Sequence, residues 1–185
     1  MPDLAGPKVA YLGYCGLIDS AGVTRIAQNL NGAVNNQYDS VYLCLSSIGG
    51  YVGDGVFLFN LIRALPIPVI IHNTGTVASI ATTLFVAGGP RLCSQRAIFM
   101  MHPVAVGPQS QALASAPLLA ALEAARADEE RTEAILRERT NIPEDVLNAR
   151  RQGDVFLTAQ QALDYGLVHE IREFALPAGN QIFQI

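Results

Sequence analysis

The sequence predicts the α/β class, with mostly parallel strands in one core. Two patterns carry this expectation. Short β-rich runs alternate with segments whose apolar residues recur every three or four positions, and one run, VYLCL (Val41 to Leu45), is apolar throughout. Alternation of that kind signals strand–helix crossovers, and an unbroken apolar strand is expected of a sheet covered on both faces.

The elements follow in order. Lys8 to Tyr14 (KVAYLGY) reads as a strand. Asp19 and Ser20 offer a cap to a helix in which Val23, Ile26, Ala27 and Leu30 share a face. After Val41 to Leu45, the glycine turn SSIGG leads into a second helix with Val52, Val56, Phe59 and Ile62, which Pro66 ends. PVIIHN is a third strand. The run TVASIATTLFVAG is a third helix, closed by Gly88 and Gly89. Ala97 to His102 is a further strand. The longest helix spans about Pro117 to Thr140, with Leu118, Leu122, Ala125, Ile135 and Leu136 on its apolar side and charge crowded between Asp128 and Arg139. NIPEDVLNAR opens a short helix at Pro143. The remainder supplies a strand fragment, a small helix capped by Thr158 and a last strand.

Composition narrows the function. The 185 residues suit one compact domain. A net charge of −4 without a basic run argues against a general nucleic-acid binder. Hydrophobic residues reach 50% and charged ones only 15%, which excludes disorder and suggests a surface partly covered by other subunits. Lys8, near the start, is the only lysine, which argues against a lysine base, a Schiff-base lysine and a P-loop lysine. Cys15, Cys44 and Cys93 are odd in number and widely spaced, as reduced core thiols of a cytosolic protein would be. The opening MPDLAGPK lacks the layout of a signal peptide. The apolar stretch from Ile67 to Gly88 is interrupted by Pro68, His72 and Asn73, so no membrane span is expected.

Four features could carry chemistry. Ser79 falls near the predicted start of the third helix, where free N–H groups and the positive dipole end favour a nucleophile whose attack builds negative charge. Single serines at helix starts are also common caps. Gly49 and Gly50, at the carboxyl end of a buried strand, would let a backbone N–H face a ligand closely; the spacing is not that of a dinucleotide loop. His102 ends a strand and Pro103 fixes its exit. Asp154 follows at a distance. Together, Ser79, His102 and Asp154 supply a nucleophile, a base and an orienting carboxylate, with Gly50 as an oxyanion donor. The G-x-S-x-G elbow of α/β-hydrolases is absent.

Four segments then resemble, in order, the proteolytic subunit of Clp protease: LCLSSIGGYVGDGVFLFNLIRAL, GTVASIATTLFVAGG, RLCSQRAIFMMHP and GDVFLTAQQALDYGLV. The resemblance runs from about Val41 to Ile171, roughly seven-tenths of the chain. It implies a Clp/crotonase-type core of repeated strand–strand–helix turns. In one domain over 1–185, a head (about 1–108 and 141–175) would carry a protruding handle helix (about 112–140). It implies a serine endopeptidase acting on peptides or unfolded proteins, with Ser79 as nucleophile, His102 as general base and Asp154 as third triad member. Gly50 and Ile80 would be the backbone oxyanion donors. Substrate would add as an extended strand beside Tyr51 and Val52 and beside Val104 and Ala105, continuing to Gly107. No cofactor or metal is implied. The expected assembly is a homo-oligomeric ring, a heptamer or double ring, in the cytoplasm.

The chain departs from the family pattern in places. Ile48 stands where the family's S-P-G-G turn has proline, and His102 is followed by Pro-Val where Gln-Pro is usual. Only about seven residues precede the first strand, which reads against docking of an AAA+ unfoldase and against the usual double heptamer. The alternatives are a non-catalytic or partner-dependent ring subunit and a crotonase-like acyl-CoA enzyme. A Ser–Lys peptidase fails because Lys8 is the only lysine.

Overall fold

The computed structural model describes residues 6–105 and 115–185. Strands β1 (Val9–Cys15), β2 (Ser40–Ser47) and β3 (Val69–Ala78) alternate with helices α1 (Ser20–Asn35) and α2 (Val52–Ala64). Helix α3 (Ile80–Phe85), strands β4 (Arg91–Cys93) and β5 (Ile98–Met101) and the long helix α4 (Ser115–Arg139) follow. The chain closes with α5 (Glu144–Arg150), β6 (Val155–Thr158), α6 (Ala159–Asp164), β7 (Glu170–Ile171) and β8 (Ile182–Gln184). The sheet runs β6-β5-β3-β2-β1-β8, with β4 joining β3 to β7. Among the described residues, only β5 and β6 pair antiparallel. The architecture is therefore the mixed α/β fold with a largely parallel sheet that the sequence predicts.

Local chemistry explains the elements. Asp19 accepts the Gly22 amide and starts α1; Thr158 and Gln161 form a reciprocal capping box on α6. The core takes Leu12, Leu43, Leu45 and Ile71 from the strands, with Ile26, Leu30, Leu58 and Ile62 from the helices. Phe85 and Phe99 meet edge to face at 5.0 Å. Arg91 is buried and, among the described residues, has no carboxylate partner; four main-chain carbonyls hold its guanidinium: Val86, Arg139, Gly166 and Leu167. Burial pulls its pKa down to about 10, with the charge of Arg139 adding to the effect.

Strand β3 positions the functional region. Its first half pairs with β4 and its second half, Thr76 to Ala78, with β5. Buried Asn73 fixes the changeover, its amide donating to the Ile98 carbonyl and accepting the Gly75 N–H, each at 3.0 Å. This corrects the expectation that Thr76 to Ala78 belong to the third helix. With β-branched Thr76 and Val77 paired to β5, the run continues as strand and the helix starts only at Ile80.

Other differences concern surfaces. In α4, Leu118 and Leu122 are 57% and 44% exposed, because only the second half of that helix, through Leu136, reaches the core. Residues 112–114 of the expected handle lie outside the described residues. Cys44 and Cys93 are buried as expected, but Cys15, at the frayed end of β1, is exposed. His72 lies inside β3, fully buried, its ring paired to the Tyr42 hydroxyl at 2.7 Å. The C-terminal residues return to their own sheet. Phe174 packs on Tyr11, Tyr42 and His72, and β8 adds beside β1. Among the described residues, no helix is long and apolar enough to cross a membrane.

Candidate active site

Ser79 occupies the single residue between β3 and α3. Its backbone is at φ 57° and ψ −133°, a conformation that costs a non-glycine residue on the order of 1–3 kcal/mol. The surroundings hold it there. The Ser79 amide donates to the Met100 carbonyl at 2.8 Å, and the Ser79 carbonyl accepts from the Thr82 amide at 3.0 Å and the Thr82 hydroxyl at 2.7 Å. The side chain is thereby presented at the lip of a cavity of about 110 Å³.

His102 directly follows β5, the strand that pairs with the end of β3. Two adjacent parallel strands thus deliver Ser79 and His102 to the same edge. Ser79 Oγ and His102 Nε2 stand 2.8 Å apart, close enough for the hydroxyl to donate to a neutral ring nitrogen.

The glycine turn closes the other side. Gly49 is at φ +101°, and Gly50 bridges to Ile18. Ile18 takes both neighbouring groups of that bridge, its amide donating to the Gly49 carbonyl and its carbonyl accepting from the Tyr51 amide. The Gly50 N–H is consequently directed away from Ile18, and Gly50 lines the cavity with Ser79 and Ile80. A side chain at Gly50 is impossible, since its Cβ would fall 2.1 Å from the Ile18 carbonyl oxygen. Ile80 opens α3, where the first amides have no acceptor within the helix.

Asp154 sits differently. The antiparallel β5–β6 ladder ends on Met101 paired with Val155, so His102 and Asp154 are the residues immediately beyond that last pair, one on each strand. Asp154 is exposed, however, and among the described residues its carboxylate makes no hydrogen bond, to His102 or otherwise. Tyr51 is 72% exposed, while its amide and carbonyl are engaged by Ile18 and Gly55. Val52, Val104 and Ala105 line the cavity; residues 106 and 107 lie outside the described residues.

Several residues at the cavity escaped the sequence reading. Thr132 and Arg150 line the same cavity, and Glu129 reaches in from α4 to accept the Val104 amide at 2.7 Å. Arg150 is 6% exposed, and burial draws its pKa down although Glu129 and Glu133 lie beside it. The only sequence signal was the mixed charge between Asp128 and Arg139, which does not show which helix it faces.

Fold and comparisons first define a class, a mixed α/β protein of the peptidase type. More particularly, the chain matches the Clp protease family over residues 13–174 and belongs to that family. Among curated relatives, it is 29% identical over 180 residues to the ATP-dependent Clp protease proteolytic subunit 2 of Pseudomonas aeruginosa, covering 92% of this chain and 86% of that one. It is 30% identical over 149 residues to the proteolytic subunit 1 of Leifsonia xyli, covering 78% and 73% respectively. Among solved structures, a mutant ClpP1 from Listeria monocytogenes superposes with a TM-score of 0.77 at 21% identity, covering 90% of this chain and 92% of that one. This likeness shows a shared fold.

Proposed function

We propose that the protein is a serine endopeptidase of the Clp proteolytic-subunit type. The observation that carries the proposal is the 2.8 Å approach of Ser79 Oγ to His102 Nε2 on a backbone held out of its relaxed conformation. In this reading His102 accepts the Ser79 proton as the hydroxyl attacks a peptide carbonyl. The Gly50 and Ile80 amides receive the developing oxyanion. His102 then returns the proton to the leaving amine, and water, activated by the same ring, releases the acyl-enzyme.

Asp154 completes the triad by turning its carboxylate onto His102 Nδ1, a movement that the ladder geometry supports. It would hold the tautomer that leaves Nε2 free as base. The exposed Tyr51 ring, Val52, Val104 and Ala105 flank the cavity and would hold an extended peptide. The unengaged carboxylate favours a partner-dependent version of the same activity, in which assembly orders Asp154. The names of the relatives, subunits of an ATP-dependent protease, and Leu118, Leu119 and Leu122 exposed along α4 support a homo-oligomeric assembly.

Labelling with a fluorophosphonate tests the reading, with light scattering to size the assembly. One adduct on Ser79 is expected, absent in Ser79→Ala and slowed roughly a thousandfold or more in His102→Ala. Wild-type protein that stays unlabelled in every oligomeric state would refute it.

A further inference from the structure

We infer that Glu129 is a positioning residue for His102, acting through the Val104 amide. The inference rests on the reading of Ser79 and His102 as nucleophile and base. The last β5 ladder pair is at Met101, and beyond it the backbone leaves the sheet. Pro103 has no N–H to offer. Among the described residues, the one hydrogen bond made by the backbone of residues 103–105 is Val104 N–H to Glu129 Oε2, at 2.7 Å. His102 is thus suspended between the ladder on one side and a single carboxylate on the other. A bond from an amide to an ionised oxygen is short and strong enough to fix that exit.

The carboxylate is itself fixed. Its second oxygen, Oε1, is shut off from solvent and makes no well-directed hydrogen bond. It lies 2.5 Å from Arg150 Nη1, so an ionic contact holds it. Arg150 in turn donates to Thr132 Oγ1 at 3.2 Å and to Glu133 Oε1 at 3.3 Å. Glu129 therefore joins three pieces: the segment leaving the histidine, the long helix α4, and the end of α5, four residues before Asp154. Two functions sit on one side chain. Oε2 needs reach and an acceptor; Oε1 needs charge.

Two conservative variants separate these functions. Glu129→Gln keeps the length and an acceptor for Val104 but loses the charge. Glu129→Asp keeps the charge but is one methylene too short to reach Val104 from the same backbone. The measurement is the rate constant for fluorophosphonate labelling of Ser79, with thermal melting run in parallel. Positioning through Val104 predicts Glu129→Gln within about threefold of wild type and Glu129→Asp slower by on the order of 100-fold, since an ångström of misplacement costs about that much. A purely ionic, structural role predicts the opposite ranking. A folded Glu129→Asp that labels at the wild-type rate overturns the inference by itself, whatever becomes of the Gln variant. Wild type that never labels on Ser79 overturns the underlying reading and the inference together.

Discussion

A Cβ placed on Gly49 would fall 2.5 Å from the Cβ of Ser79. The turn after β2 and the strained residue after β3 are therefore in direct backbone-to-side-chain contact, and only glycine permits it. Gly49 is also at φ +101°, where side chains are strained whatever the space. Gly49→Ala is expected to displace Ser79 and to cost about 2 kcal/mol or more in stability. Urea unfolding should show the loss, and labelling of Ser79 should fall at least tenfold. A stable, fully reactive alanine variant would mean that the turn does not shape the site.

Asp154 gives the second expectation. It lies just beyond the last β5–β6 pair, as His102 does, and the proposed triad has its carboxylate turn onto the ring. Asp154→Asn should slow acylation by about 100-fold or more, while melting stays nearly unchanged because the residue is exposed and unbonded. Steady-state cleavage of a fluorogenic peptide gives the first quantity and calorimetry the second.

Glu133 makes stability depend on pH. Its side chain is 1% exposed and contacts Arg137, Arg150 and Arg151. Burial alone would raise its pKa, but the hydrogen bond and charge of Arg151, followed by the charges of Arg150 and Arg137, outweigh it and leave the carboxyl below its ordinary value. A carboxyl depressed by folding stabilises the native state above its unfolded pKa, about 4.3, and loses that contribution as pH falls through the lower folded value. Glu133→Gln should thus cost about 1–2 kcal/mol at pH 7, since it removes the carboxylate shared by three arginines while Glu129 still pairs the buried Arg150. The gap from wild type should shrink as pH is lowered towards 3. Urea titrations at both pH values check this; a gap unchanged by pH would contradict it.

The thiols should separate cleanly. Burial pushes Cys44 and Cys93 up to about 11, with the charge of Glu173 contributing at Cys93. Cys15 is exposed. Iodoacetamide at pH 8 should therefore modify Cys15 first and the other two about a hundredfold more slowly, or only on unfolding. Peptide mass mapping over time reads the order directly.

Much of this was legible in the chain because it is local. Asp19 and Gly22, or Thr158 and Gln161, lie within one turn, so their caps can be read from spacing alone. The alternation of strands and helices is written in the same way. The order of Ser79, His102 and Asp154 within recognisable segments was also visible, although nothing in the spacing measures their approach.

Tertiary structure decided the rest. Thr76 to Ala78 are strand because Ile98 to Met100 lie beside them, and β8 exists because the free edge of β1 accepts it. Glu129 matters only because α4 carries it to Val104, 25 residues away in the chain. The sequence by itself determined caps, periodicity and the identities of the reactive groups, all interactions between near neighbours. Which distant groups share a ladder, a cavity or an ion pair was settled by register and packing, which depend on every element at once and have no local signature.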